Sequence, residues 1–209
     1  MNKLEAVNVT KIIKNSTVLS NINLSLIGGH IYAFCGENGS GKTMLFRVLS
    51  GLSLPSSGII KYNDKFFPKA RPIIGVVIEN ASLFPQFTSF QNLMYLAHIN
   101  KLASKKDIEN ALHRVGLDPK DKRIVKKYSL GMKQRLLIAQ SIMERPDYLF
   151  LDEPTNAIDK DGIELIHRII REEADRGAVV LLASHIDNDI SQLADKCFFM
   201  KNGEIVDEK

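Results

Sequence analysis

Ile31-Tyr32-Ala33-Phe34-Cys35-Gly36-Glu37-Asn38-Gly39-Ser40-Gly41-Lys42-Thr43 decides the fold. The unbroken apolar run Ile31–Cys35 reads as a strand buried on both faces. The next eight residues, Gly36 to Thr43, fit G-x-x-x-x-G-K-[ST], and a helix is expected from about Lys42 to Ser50. Strand, glycine-rich loop and helix in that order form a cradle for phosphate. Glycines let the backbone turn its N–H groups toward phosphate oxygens. The helix start adds the positive end of its dipole. Gly36, Glu37, Asn38, Gly39, Ser40 and Gly41 are therefore nucleotide-binding candidates, and the site extends into the helix at Met44. Lys42 is expected to reach the β- and γ-phosphates, and Thr43 to place its hydroxyl on Mg²⁺. Taken alone, the motif leaves a small-molecule kinase or a GTPase open.

A second apolar run, Tyr148-Leu149-Phe150-Leu151, ends in Asp152-Glu153-Pro154. A buried strand ending this way delivers two carboxylates to the carboxyl edge of a sheet, where open α/β folds bind ligands. Asp152 suits the support of Mg²⁺, and Glu153 suits the polarising of an attacking water.

Around these two strands the chain changes character twice. Residues 3–9 and 17–27 alternate apolar and polar side chains, as half-buried strands do. Further strands are expected at Ile59–Tyr62 and Ile73–Ile78. From Ser89 to about Arg145 the apolar spacing becomes helical, with Leu93, Leu96 and Ala97 on one face and Ile108, Leu112 and Val115 on another. Ser104 followed by Asp107 reads as a capping box. Strand character returns at Ala178–Ala183, after a helix from about Lys160 to Arg176 that Gly177 ends. A terminal hairpin turns at Asn202-Gly203. The expected architecture is α/β: a nucleoside-triphosphatase core of mostly parallel sheet, an N-terminal antiparallel β subdomain, and a helical subdomain inserted at about 88–145. One domain spans 1–209.

Composition agrees. The chain has 209 residues, of which 44% are hydrophobic and 25% charged, ordinary globular values that exclude a disordered chain. Its 28 basic and 24 acidic side chains leave a net charge of +4. That is no strongly basic stripe, so no nucleic acid is expected as a partner. Cys35 and Cys197 have no metal-ligand spacing and read as reduced core residues. Met1–Glu5 shows no apolar signal region. No stretch approaches the roughly 18–20 apolar residues of a membrane span.

Taken together, these residues resemble the nucleotide-binding subunit of ATP-binding-cassette (ABC) transporters, over essentially the whole chain. Tyr128-Ser129-Leu130-Gly131-Met132-Lys133-Gln134-Arg135 is similar to that family's L-S-G-G-Q signature followed by a basic, Gln-rich helix. Asn156-Ala157-Ile158-Asp159 resembles its D-loop, and Ser184-His185 its switch histidine. Glu79, ahead of Leu83-Phe84-Pro85, lies where its Q-loop begins. The resemblance implies an ATPase with ATP and Mg²⁺ as cofactors. Glu153 and His185 would be its catalytic residues, and Thr43, Glu79 and Asp152 its metal side. Two such subunits, identical or different, would sandwich two ATP molecules, with Ser129 and Gly131 at a helix start meeting the γ-phosphate across the interface. An integral-membrane permease would hold the pair at the cytoplasmic face of the membrane.

The sequence departs from the family pattern in places. Glu79 stands for the usual glutamine, and a carboxylate still offers oxygen to Mg²⁺. Leu130 and Met132 replace a glycine and the glutamine of the signature. With Glu79, this variant signature is similar to the bacitracin- and lantibiotic-type exporter ATPases. No aromatic residue occurs from Val9 to Leu19, so the adenine that the family stacks on a ring would pack on Ile13 or Val18. Phe66, Phe67, Phe84, Phe87 and Phe90 read as core, with permease contact the alternative for Phe87. A non-transport ABC-type ATPase acting on a nucleic acid or ribosome is the rival reading. Such relatives carry two cassettes or a long coiled-coil insertion, and this chain has one phosphate loop and no such insertion.

Overall fold

The computed structural model describes residues 1–70, 72–78, 82–184 and 191–209. Two sheets build the molecule. The first is antiparallel and runs β2–β1–β4–β5, from β1 (Lys3–Ile13), β2 (Ser16–Ile27), β4 (Ser57–Tyr62) and β5 (Lys65–Phe66). The second runs β10–β9–β3–β8–β7–β6, from β3 (His30–Cys35), β6 (Ile74–Val77), β7 (Tyr148–Asp152), β8 (Val179–Ala183), β9 (Lys196–Lys201) and β10 (Glu204–Glu208). All its pairings are parallel except β9–β10, the terminal hairpin that turns at Asn202-Gly203.

The central strands are apolar throughout because both of their faces are covered. Tyr32, Phe34, Tyr148, Phe150, Val179 and Leu181 pack toward the first sheet and α1 (Lys42–Leu49). Ile31, Leu149, Leu151, Val180 and Leu182 pack toward α2 (Ser89–Asn100), α3 (Lys105–Arg114), α4 (Leu130–Ile142) and α5 (Lys160–Asp175). Tyr148 also stacks edge-on against Tyr62 of the first sheet, ring centroids 5.0 Å apart. Its hydroxyl donates to the Lys3 carbonyl, and burial pushes its pKa up to about 12.

Helix limits follow local chemistry. The expected capping box opens α3: Asp107 N–H donates to Ser104 Oγ at 3.3 Å, and Ser104 N–H donates to Asp107 Oδ2 at 2.8 Å. Thr88 and Gln91 make a second box at α2. Strand β1 runs four residues past the expected end at Val9, because bulges at Ala6/Val9, Val9/Lys11 and Lys11/Ile12 break the alternation. Helix α4 ends at Ile142, short of Arg145, whose φ is 52°. Between α3 and α5, Glu173 is buried and accepts from Arg114 Nη1 and Arg176 Nη2, both at 2.6 Å. This knot ties α3, which lies between β6 and β7, to the core helix α5. Among the described residues no helix is long and apolar enough to cross a membrane.

Candidate active site

The parallel register brings three strand ends level. Phe34 pairs with Ala183, and Ala183 with Asp152. The residues that follow, Cys35-Gly36, Ser184 and Glu153, therefore emerge together at the carboxyl edge of the sheet, where open α/β folds place ligands. A cleft of about 1240 Å³ opens there. Gly36, Glu37, Asn38, Gly39, Gly41, Lys42, Thr43 and Met44 line one side. Asp152, Glu153 and Gln134 also line the cleft.

The loop's shape depends on glycine at its first position. Gly36 has φ 149°, and a Cβ there would stand 2.3 Å from the Met200 carbonyl oxygen and 2.8 Å from Ser40 Oγ. No side chain fits. Helix α1 begins after Gly41, which has φ 109° and no side chain to cap the first N–H groups. Those groups are left for an anion. Lys42 is buried at their foot, its Nζ donating to the carbonyls of Gly36 at 2.7 Å and Glu37 at 3.1 Å. The terminal hairpin supports the loop from behind, with Gly203 N–H donating to the Ser40 carbonyl at 2.9 Å. A triphosphate suits this arrangement: cationic donors, a bent backbone and a wide cleft converge on one point.

Thr43 Oγ1 donates to Asp152 Oδ2 at 2.5 Å, joining the first turn of α1 to the end of β7. A hydroxyl and a carboxylate side by side are the hard oxygen donors that Mg²⁺ takes. Glu153 follows with φ 51°, a left-handed conformation uncommon for a residue with a side chain. Its N–H donates to the Ala183 carbonyl at 2.8 Å. Gln134 Nε2 donates to the carbonyls of Glu153 at 3.2 Å and Pro154 at 3.1 Å.

The remaining candidates fall in different places. Val18 lines the cleft. Ile13, the last residue of β1, is 39% exposed and is not among the lining residues. Ser129 caps α4, its Oγ accepting from Met132 N–H at 3.2 Å, and Leu130 beside it is 71% exposed. Gly131 packs against the loop at Asn156-Ala157, which also borders the cleft. Glu79 and His185 lie outside the described residues. Sequence reasoning missed Gln134 and the Gly203 buttress, because both depend on contacts between distant segments.

A second surface lies at the start of the helical block. Phe84, Phe87 and Tyr95 cluster with centroids 5.0–6.2 Å apart. Phe87, Phe90, Met94 and Tyr95 also line a shallow cavity of about 270 Å³. Buried Asn92 clips the segment in place. Its Nδ2 donates to the carbonyls of Phe84 and Thr88, and its Oδ1 accepts from Phe84 N–H at 2.8 Å. Phe84 and Phe87 are thus half-buried, between the core and contact readings.

Comparisons with known proteins converge. The profile of the ABC transporter family matches residues 19–156. An uncharacterized ABC transporter ATP-binding protein of Bacillus subtilis, YybJ, is 47% identical over 208 residues, covering 97% of this chain and 94% of that protein. The bacitracin transport ATP-binding protein BcrA of Bacillus licheniformis is 36% identical, covering 98% and 69%. The lantibiotic transport ATP-binding protein SrtF of Streptococcus pyogenes is 36% identical, covering 99% and 90%. The fold is that of the bacterial ABC transporter cassette MJ0796, solved as a dimer, at TM-score 0.89 and 23% identity, covering 99% of this chain and 97% of that one. A post-hydrolysis state of that cassette with ADP and Pi superposes equally well, at TM-score 0.89 and 22% identity. The chain belongs to the ABC transporter family, as an ATP-binding, ATP-hydrolysing subunit of such a transporter.

Proposed function

We propose that this subunit works as one half of an ATP sandwich and powers the export of a peptide antibiotic through a membrane permease. The observation that supports this most is the convergence of Lys42, Thr43, Asp152 and Glu153 on one cleft. The loop N–H groups and Lys42 bind the phosphates. Thr43 and Asp152 would hold Mg²⁺, which would supply positive charge against the phosphate oxygens. Val18 packs on the base. Glu153 takes a proton from the attacking water as the γ-phosphate separates, so ATP and water become ADP and phosphate. His185 and Glu79 are assigned to the γ-phosphate and to Mg²⁺ on the family resemblance alone. Ser129 and Gly131 meet the partner subunit's nucleotide, and loss of the bridging charge on hydrolysis loosens the pair.

The peptide substrate rests on BcrA and SrtF, named for bacitracin and lantibiotic transport. The permease would dock on the Phe84–Phe87–Tyr95 cluster and hold the subunit at the cytoplasmic face. Replacing Glu153 by Gln tests the chemistry. Loss of a general base typically costs about 10²–10⁴-fold, so steady-state turnover should collapse while an ATP-bound dimer accumulates in sizing chromatography. Near-wild-type turnover would refute the assignment of Glu153.

A further inference from the structure

Glu153 sits at a point of backbone strain. Its left-handed φ of 51° is of the kind that persists only where the surroundings over-determine it, at roughly 1–3 kcal/mol per residue. Two contacts hold the peptide units on either side. On the N-terminal side, the Glu153 N–H is fixed to the Ala183 carbonyl of β8 at 2.8 Å. On the C-terminal side, one amide group, Nε2 of Gln134, spans two successive carbonyls, Glu153 at 3.2 Å and Pro154 at 3.1 Å. An amide nitrogen has two hydrogens, so both bonds are made at once. Asn156 N–H adds a weaker contact to the Glu153 carbonyl at 3.3 Å. Helix α4 is in turn held against β6: a Cβ on Gly75 would stand 2.0 Å from the Ser141 carbonyl oxygen.

We propose that Gln134 is a positioning residue for Glu153, its side-chain amide locking the turn that presents the Glu153 carboxylate to the cleft. This rests on the reading of Glu153 as the general base. Without the amide, the Pro154 carbonyl loses the Gln134 donor, the Glu153 carbonyl keeps only the weaker Asn156 N–H, and the turn is free to relax toward ordinary φ. The carboxylate then swings with it. A misplacement of about 1 Å at a reacting group can cost on the order of 10²-fold. Among the described residues Gln134 bonds the turn and not Lys42 or the phosphate loop, so the effect falls on turnover more than on nucleotide affinity.

Two substitutions separate positioning from general support. Gln134→Met keeps length and bulk but has no donor. Gln134→Glu is isosteric and, when ionised, sets a negative charge against two carbonyl oxygens. Desolvation and those oxygens favour its neutral form, and the protonated carboxyl regains one donor. In ATPase assays of the full chain, Gln134→Met lowers kcat roughly ten- to hundredfold, with KM for ATP within about twofold of wild type. The activity of Gln134→Glu relative to wild type climbs several-fold as pH falls from about 8 to 6, while that of Gln134→Met stays flat. In a Glu153→Gln background, Gln134→Met reduces residual single-turnover hydrolysis by less than about twofold.

Unchanged kcat in Gln134→Met, a loss confined to KM, or a full multiplicative loss on top of Glu153→Gln would each overturn the proposal. If Gln134→Met fails to fold, the pH dependence of Gln134→Glu decides within one folded protein, and a flat ratio overturns it. Glu153→Gln that retains turnover would instead remove the general base itself. That result is read without any Gln134 variant.

Discussion

Alanine at Gly131 sets two opposing effects on one residue. Gly131 is the second residue of α4, and alanine is favoured over glycine in a helix by about 1 kcal/mol. Propensity alone predicts a more stable protein. The packing predicts the reverse. A Cβ at this position would stand 2.8 Å from the Ala157 carbonyl oxygen, so helix and loop must part by about 0.6 Å to reach ordinary contact. Overpacking of this kind costs about 1–3 kcal/mol. The loop has little room to yield, because Ala157 already sits at φ 61°, a left-handed conformation costly for a residue with a side chain. The clash therefore outweighs the propensity gain, and Gly131→Ala loses about 0–2 kcal/mol net. The displaced groups are the capped start of α4 and the loop after Glu153, so ATP hydrolysis falls more than ATP binding does. Urea unfolding with its midpoint and slope, beside steady-state ATPase and a nucleotide titration, measures all three. A variant about 1 kcal/mol more stable with unchanged turnover would refute the close approach of α4 to this loop.

Ser104→Ala should cost about 1 kcal/mol near neutral pH through loss of the α3 cap. The Ser104 hydroxyl, and then its N–H, hold the Asp107 carboxyl below the usual range. Its contribution is thus complete above the unfolded value of about 4 and lost as pH falls through the folded value, so the gap between wild type and variant narrows in acid. A gap independent of pH would show that the carboxylate takes no part. Glu173→Ala leaves Arg114 and Arg176 without their shared carboxylate. Breaking a buried pair costs roughly 3–5 kcal/mol, and since the two arginines are 33% and 27% exposed we expect about 2–3 by denaturant unfolding. A loss under about 0.5 kcal/mol would mean that water replaces the carboxylate. With no aromatic residue from Val9 to Leu19 to stack on the base, GTP should compete with ATP within about tenfold in a competition titration. A strong preference for ATP would show that another residue reads the base.

What was legible in the sequence is what local chemistry determines. The runs Ile31–Cys35 and Tyr148–Leu151 are apolar without alternation because each strand is covered on both faces, and that pattern needs no tertiary knowledge to read. The Ser104 box and the Asn202-Gly203 turn are short-range devices, and both form where the residues stand. Strand β1 was cut short because its bulges shift the register, which a period-two reading cannot follow. Nothing local in the sequence marks Glu173 for burial. Its burial depends on Arg114, 59 residues away in the chain. The Gln134 contact to Glu153 and the Gly203 contact to Ser40 escape for the same reason, since each joins elements that only the folded topology brings together. Ile13 and Val18 were equal candidates in sequence. They part because Ile13 ends its strand at the hairpin while Val18 lies inside its partner, against the loop.

The seat of Lys42 has a consequence for how tightly a nucleotide is held. Its ammonium bonds the carbonyls of Gly36 and Glu37, so the eight-residue loop is closed around its own cation. Fixing a backbone costs roughly 1–2 kcal/mol of conformational entropy per residue. For this loop that cost falls during folding and is absent from the binding step. A nucleotide arriving at a floppy loop would surrender much of its phosphate interaction to ordering it. Here the ligand meets a preorganised ring of donors, and the ammonium needs only to turn from two carbonyls toward the phosphates. Removing the lysine thus takes away a positive charge and, with it, the internal brace of the loop.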